Sequence, residues 1–137
     1  MESRLFAGLQ SSVSAMSAER LRITVASENL ANAGATRRLA DGLPYARQRV
    51  RFDAVLDDHG RATGAVAAEV VESPRYRQIH DPSHPDADPE TGIVLEADID
   101  PVLELTDLMV ASRAYEANGN AARGMLRMHE NALRLGE

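Results

Sequence analysis

LQSSVSAMSAERLRITVASENL, from Leu9 to Leu30, is the stretch on which the fold turns. Leu9, Met16, Ile23 and Leu30 recur every seven residues, with Phe6 and Val13 in the companion position. That is a coiled-coil seam, broken at Arg20 and Ser27. Leu5, Leu21 and Val25 form a second apolar stripe, and a helix with two stripes needs two neighbours. No proline interrupts the chain between Ser3 and Ala33, and Gly34 suits a C-terminal stop. The expected helix is roughly 45 Å long.

A second long helix is expected from about Asp100 to Leu135. Asp100 offers a side-chain cap, and Pro101 follows at the first helical position. Leu105, Leu108, Tyr115, Ala122, Leu126 and Leu133 share a face, which Met125, Met128 and Leu135 widen at the far end. Arg127 and Arg134 favour the helix dipole near its C-terminus, and Gly136 ends the run. Gly119 and Gly124 are weak points, each costing about 1 kcal/mol against alanine.

Between these helices the pattern changes. Tyr45 to Phe52 alternates, with Arg47, Arg49 and Arg51 on one side and Val50 and Phe52 on the other. Ala65 to Val71, Tyr76 to Ile79 and Gly92 to Leu95 are further strand candidates, and Asp57 to Gly60 reads as a turn. The expected class is therefore α+β. Its long N- and C-terminal helices (residues 1–34 and 98–137) pair as an antiparallel coiled coil. A small β-rich lobe with a proline-rich loop (35–97) sits at the end where Ala33 and Asp100 meet.

Composition narrows the function. The 137-residue chain carries a formal net charge of −6, which argues against nucleic acid as a partner. All 15 of its basic residues are arginine, a fork suited to carboxylates at interfaces, although genome base composition explains the bias as well. With no cysteine there are no disulfides or thiolate sites. The N-terminus does not read as a cleaved signal peptide. Aromatics are confined to Phe6, Tyr45, Phe52, Tyr76 and Tyr115, so the core is thin, and burial against partners is expected.

Four stretches carry a resemblance. Ala26-Ser-Glu-Asn-Leu-Ala-Asn-Ala33 resembles the N-terminal signature of bacterial flagellar rod and hook proteins, and Ser112-Arg-Ala-Tyr-Glu-Ala-Asn118 resembles their C-terminal motif. Gly42-Leu-Pro-Tyr45 and His80-Asp-Pro-Ser-His-Pro-Asp-Ala-Asp88 are similar to the middle of the proximal-rod member. The match runs through the whole chain in order. Glu28, where the signature has asparagine, and Gly119, where an apolar or β-branched residue is expected, depart from it.

The resemblance implies a structural subunit with no catalytic residues, cofactor, metal or small-molecule substrate. It also implies export through the flagellar type III apparatus without a cleaved signal, and terminal helices that fold on assembly. The partners would be further copies, proximal and distal rod subunits, and the rod–ring adaptor. The assembly would be a helical, periplasm-spanning drive shaft and export channel.

Rival readings attach to particular residues. His80 and His84, with Asp86, have the spacing of a metal pair on a helix, but Pro82 and Pro85 oppose a helix there. A calcium loop starting at Asp86 fails at Thr91 and Ala97. The better reading is a stiff loop whose histidines and acids meet another protein, with a metal-dependent enzyme as the remote alternative. Arg47, Arg49 and Arg51 are either a solvated strand face or a contact with an acidic neighbour. Asn29, Asn32 and Asn118 cap locally or fix helix register. Tyr115 and Glu116 serve packing and inter-helix bonding. The expected subunit interface thus takes in these groups and the stripe residues Phe6, Leu9, Val13, Met16, Ile23, Leu30, Leu105, Leu108, Leu126 and Leu133. Another rod or hook paralogue and a soluble coiled-coil adapter remain as alternatives.

Overall fold

A computed structural model describes the backbone of residues 2–135 and the side chains of residues 6–134. The expected roles of Leu5, Leu135 and Gly136 lie outside the described residues. The elements run α1 (Glu2–Ala31), β1 (Gln48–Leu56), β2 (Ala62–Glu72), β3 (Tyr76–His80), β4 (Ile93–Ala97) and α2 (Pro101–Leu135).

Both helix boundaries follow from local chemistry. At the start of α2 the Asp100 carboxylate accepts the Val102 N–H at 2.8 Å, and Pro101 has no N–H to leave unpaired. At the end of α1 the chain leaves the helix through Gly34, whose φ is +74°. A Cβ at Gly34 would also stand 2.9 Å from the flexible end of Glu96, but it is the positive φ that calls for glycine.

The helices are antiparallel. Arg22 pairs with Asp107, Asn29 meets Glu104, Met16 lies over Gly119 and Met125 over Gly8. The deepest seam positions are small: Ala18, Val25, Ala26 and Ala111 are buried, together with Ser12 and Asn29. The large heptad residues Leu9, Met16, Ile23 and Leu30 are only partly covered, and Phe6 and Val13 are exposed. Small side chains let the two backbones approach, and at Gly8 an added Cβ would stand a tight 3.1 Å from the Met125 sulfur. A Cβ at Gly119 would make only an ordinary contact, 3.6 Å from the Met16 Cε, so the packing does not require glycine at this weak point.

The β region differs from the expected lobe in one respect. It is not a single body at the end of the hairpin but two separate antiparallel ribbons, β1–β2 and β3–β4. β1–β2 folds back along α1: the Ser11 hydroxyl donates to the Gly64 carbonyl, and the Val66 N–H donates to the Ser14 hydroxyl at 3.1 Å. This ribbon is the second neighbour that α1 needs. Only β3–β4 sits at the closed end, where the Ala97 N–H donates to the Ala35 carbonyl at 2.9 Å.

One polar cluster joins the three parts. The side-chain amide of Asn29 pairs with the Gln48 backbone in both directions, donating to its carbonyl at 2.7 Å and accepting its N–H at 2.9 Å. The same side chain donates to Glu104 at 3.0 Å and accepts the Tyr45 hydroxyl at 3.1 Å. Glu104, only 2% exposed, accepts from Arg47 Nε at 2.7 Å. Thus α1, the start of β1 and the first turn of α2 share one network. Arg47 is therefore used inside the chain rather than on the solvated arginine stripe that the alternation suggested.

The network predicts an asymmetry. Arg47→Ala strands a buried carboxylate and is expected to cost about 3–5 kcal/mol. Glu104→Ala releases an arginine that is 28% exposed and can rehydrate, so about 2 kcal/mol is expected. Denaturant unfolding of the two variants checks the order. Burial first, then the charges of Glu28 and Glu104, raise the Tyr45 hydroxyl above its usual value. A group raised on folding stabilises the fold below its unfolded pKa and loses that contribution as pH rises through the folded one. Stability should therefore fall above about pH 10. Tyr45→Phe should lower stability by about 1 kcal/mol at neutral pH and flatten that alkaline loss. Tyr76, raised chiefly by burial as well, contributes separately, so Tyr76→Phe is the control.

Candidate assembly surface

The loop from Asp81 to Gly92 is built by its own acids. Asp81 accepts the Ser83 N–H at 3.1 Å and the Ser83 hydroxyl at 2.6 Å, which holds its carboxyl below the usual range. Asp88 accepts the Thr91 and Glu90 N–H groups at 3.0 and 2.9 Å, and its carboxyl is likewise depressed, chiefly by the Thr91 bond. The Gly92 N–H closes the turn onto the Asp88 carbonyl at 2.8 Å. Gly92 has φ +65°, and a Cβ there would meet Pro82 at 2.8 Å. Asp86 accepts the Thr36 hydroxyl at 2.8 Å, tying the loop to the chain just after α1.

The histidines do not converge. His80 is exposed, while His84 Nδ1 accepts the Asp86 N–H at 3.0 Å. Among the described residues no three His, Cys, Asp or Glu side chains gather to hold a metal ion. The loop is a rigid projection whose donors and acceptors are largely engaged with one another.

The other expected surface residues are scattered over the helices and β1. Phe6 and Val13 on α1, and Leu105, Glu116, Leu126 and Leu133 on α2, are exposed, whereas Leu108 and Tyr115 are half-buried. Asn32 and Asn118 donate to carbonyls four residues back in their own helices, Glu28 at 2.8 Å and Ala114 at 2.9 Å. Only Asn29 of the three reaches another element. Arg49 is exposed, and Arg51 pairs with Asp53 and, across the ribbon, with Glu69. A groove of about 310 Å³ opens between α1, β1 and α2, walled by Val25, Phe52, Arg22 and Arg49.

Sequence reasoning missed the largest apolar exposure. Val102 and Leu103 are 70% and 64% exposed, and Met109 and Val110 continue the bare surface along α2. It also missed Glu104. The signal was present in Val102-Leu-Glu-Leu105, where apolar residues surround the one carboxylate that turns inward.

This geometry is an apolar helical hairpin with bare flanks, and known proteins share its sequence. A family model described as flagella basal body rod protein matches residues 9–37, and one described as flagellar basal body rod FlgEFG protein C-terminal matches residues 90–135. The flagellar basal-body rod protein FlgC of Aquifex aeolicus is 39% identical over 116 residues, covering 83% of this chain and 84% of the relative. The FlgC of Bacillus subtilis is 35% identical over 140 residues, covering 88% and 93%. That of Salmonella typhimurium is 37% identical over 126 residues, covering 90% and 92%. Relatives this similar over most of both chains make this chain a member of the flagellar basal-body rod protein FlgC family, a structural rod subunit and not an enzyme.

Proposed function

We propose that the exposed stripes of the helical hairpin are the contacts by which this rod subunit assembles helically with its own copies and with neighbouring proximal and distal rod proteins. The observation that carries this reading is the bare apolar surface of α2 from Val102 to Val110, continued near the open end of the hairpin by Phe6, Leu126, Met128 and Leu133. A thin alanine seam leaves these large side chains without cover in the single chain, and patches of this kind mark protein contacts. Burying them along a tube sums many modest contacts into a stiff shaft, and contacts that do not close give a helical array.

In this reading the shaft spans the periplasm, transmits torque and leaves a channel for later subunits. The subunit travels through the type III export apparatus without a cleaved signal, and the rod–ring adaptor is a further neighbour. Terminal helices that order only on docking would delay assembly until after export, at the cost of ordering entropy. The stiff loop at Asp81–Gly92 has little freedom to lose on contact and is a further candidate surface.

The test is Leu103→Asp. At 64% exposure the side chain contributes little to the isolated fold, so unfolding free energy should change by no more than about 0.5 kcal/mol. Basal bodies purified from cells carrying only this variant should lack complete rods. Complete rods at normal abundance would remove this stretch of α2 from the assembly surface.

A further inference from the structure

Two tight turns stand at opposite ends of the molecule and mirror each other. In the turn at the tip of β1–β2, the Asp57 N–H donates to the Arg61 carbonyl at 2.8 Å and the Gly60 N–H to the Asp57 carbonyl at 2.9 Å. In the turn after α1, the Leu39 N–H donates to the Leu43 carbonyl at 2.8 Å and the Gly42 N–H to the Leu39 carbonyl at 2.9 Å. Gly60 and Gly42 both take positive φ, +74° and +81°. The backbone hydrogen bonding is the same and the net charge is opposite, with Arg61 offsetting one acid at the tip and Asp41 one arginine in the basic turn. One turn carries Leu56-Asp57-Asp58, the other Arg37-Arg38-Leu39. Set antiparallel, the two stretches bring Leu56 to Leu39 and Asp58 to the Arg37–Arg38 pair.

Leu56, Asp58 and the basic triplet are available, whereas Asp57 is already paired: the Arg61 side chain donates to it at 2.9 Å, and the His59 and Arg61 N–H groups take its other oxygen. Leu56 and Leu39 are 57% and 54% exposed, large for aliphatic side chains in ordered turns. Among the described residues, Arg37, Arg38 and Asp58 make no ion pair, although the Arg38 charge reaches Asp88. Asp57 is held ionised, chiefly by the Arg61 N–H. Beside the basic turn is an open cleft of about 640 Å³ lined by Arg37, Arg38, Leu39 and Tyr45.

The triplets cannot meet within one chain. Gln48 is held at Asn29 and Gly64 at Ser11, so the ribbon spans the length of α1 between those residues. That is roughly 27 Å at the helical rise per residue. The acidic tip lies beyond Gly64, and the basic turn beyond the end of α1.

We infer that the acidic tip of one copy docks on the Arg37–Arg38–Leu39 turn of a second copy, head to tail. The contact joins different surfaces on the two copies, so it propagates instead of closing a dimer. Its charges fix which end meets which, because two like ends would repel. This inference rests on the assembly reading above and adds one named contact to it.

The chain has no cysteine, so introduced thiols report only the new contact. Arg37→Cys with Asp58→Cys, expressed in the host in place of the natural chain, should give disulfide-linked dimers and higher species in isolated basal bodies after mild oxidation. Neither single variant should do so. The doubly substituted protein present in basal bodies but wholly monomeric would overturn the contact and leave the assembly reading intact. Absence of the unmodified protein from basal bodies would instead overturn the assembly reading. A second arm covers a double variant that fails to incorporate. Arg37→Asp with Arg38→Asp should abolish swimming, and adding Asp58→Arg should restore part of it; normal swimming of the first variant would sink the inference.

Discussion

The double hydrogen bond between the Asn29 side chain and the Gln48 backbone is the contact on which the rest depends. It places the first residue of β1 beside the last turns of α1, and among the described residues the ribbon has no other buried polar tie at that end. Asn29 then passes the constraint to α2 through Glu104, and Arg47 neutralises that carboxylate from the strand side. An amide fits this place better than an apolar residue. It presents a donor and an acceptor in one plane, as a strand would. A buried amide satisfied only in correct alignment fixes register, while a leucine would tolerate a slip by one turn.

With register fixed, the weak hydrophobic core becomes intelligible. Ala18, Ala26 and Ala111 let the helices approach closely, and their small volume pushes the larger side chains to the flanks. A chain of this length could have buried Val102, Leu103 and Met109 in its own seam. It instead leaves them on the surface, and the assembly proposed above would cover them. A thin seam and large exposed apolar side chains are thus two consequences of one choice of seam residues.

Much of this was legible in the sequence. The Asp100–Pro101 cap, the Gly34 stop and the heptad apolar spacing located both helices, because each acts within a few residues of itself. The strands appeared within a few residues of their positions for the same reason. The placement of β1–β2 along α1 was not legible. It depends on Ser11 and Ser14, whose hydroxyls read as a solvent face until Gly64 and Val66 supply their partners. Glu104 was hidden similarly, since an acid in the first turn of a helix ordinarily complements the dipole and faces water. The heptad pattern found the right helix but put its largest residues in the seam, where close packing selected alanine. Of the candidate surface, Phe6, Val13, Leu105, Leu126 and Leu133 were identified as apolar stripe, whereas Val102 and Leu103 were not.

The central claim is that this chain is a structural part of the flagellar rod. Electron microscopy of basal bodies from host cells lacking its gene, with and without the intact gene supplied again, tests it most directly. The account predicts basal bodies without complete rods in the first case and normal rods in the second. Complete rods and normal swimming in cells without the gene would contradict it.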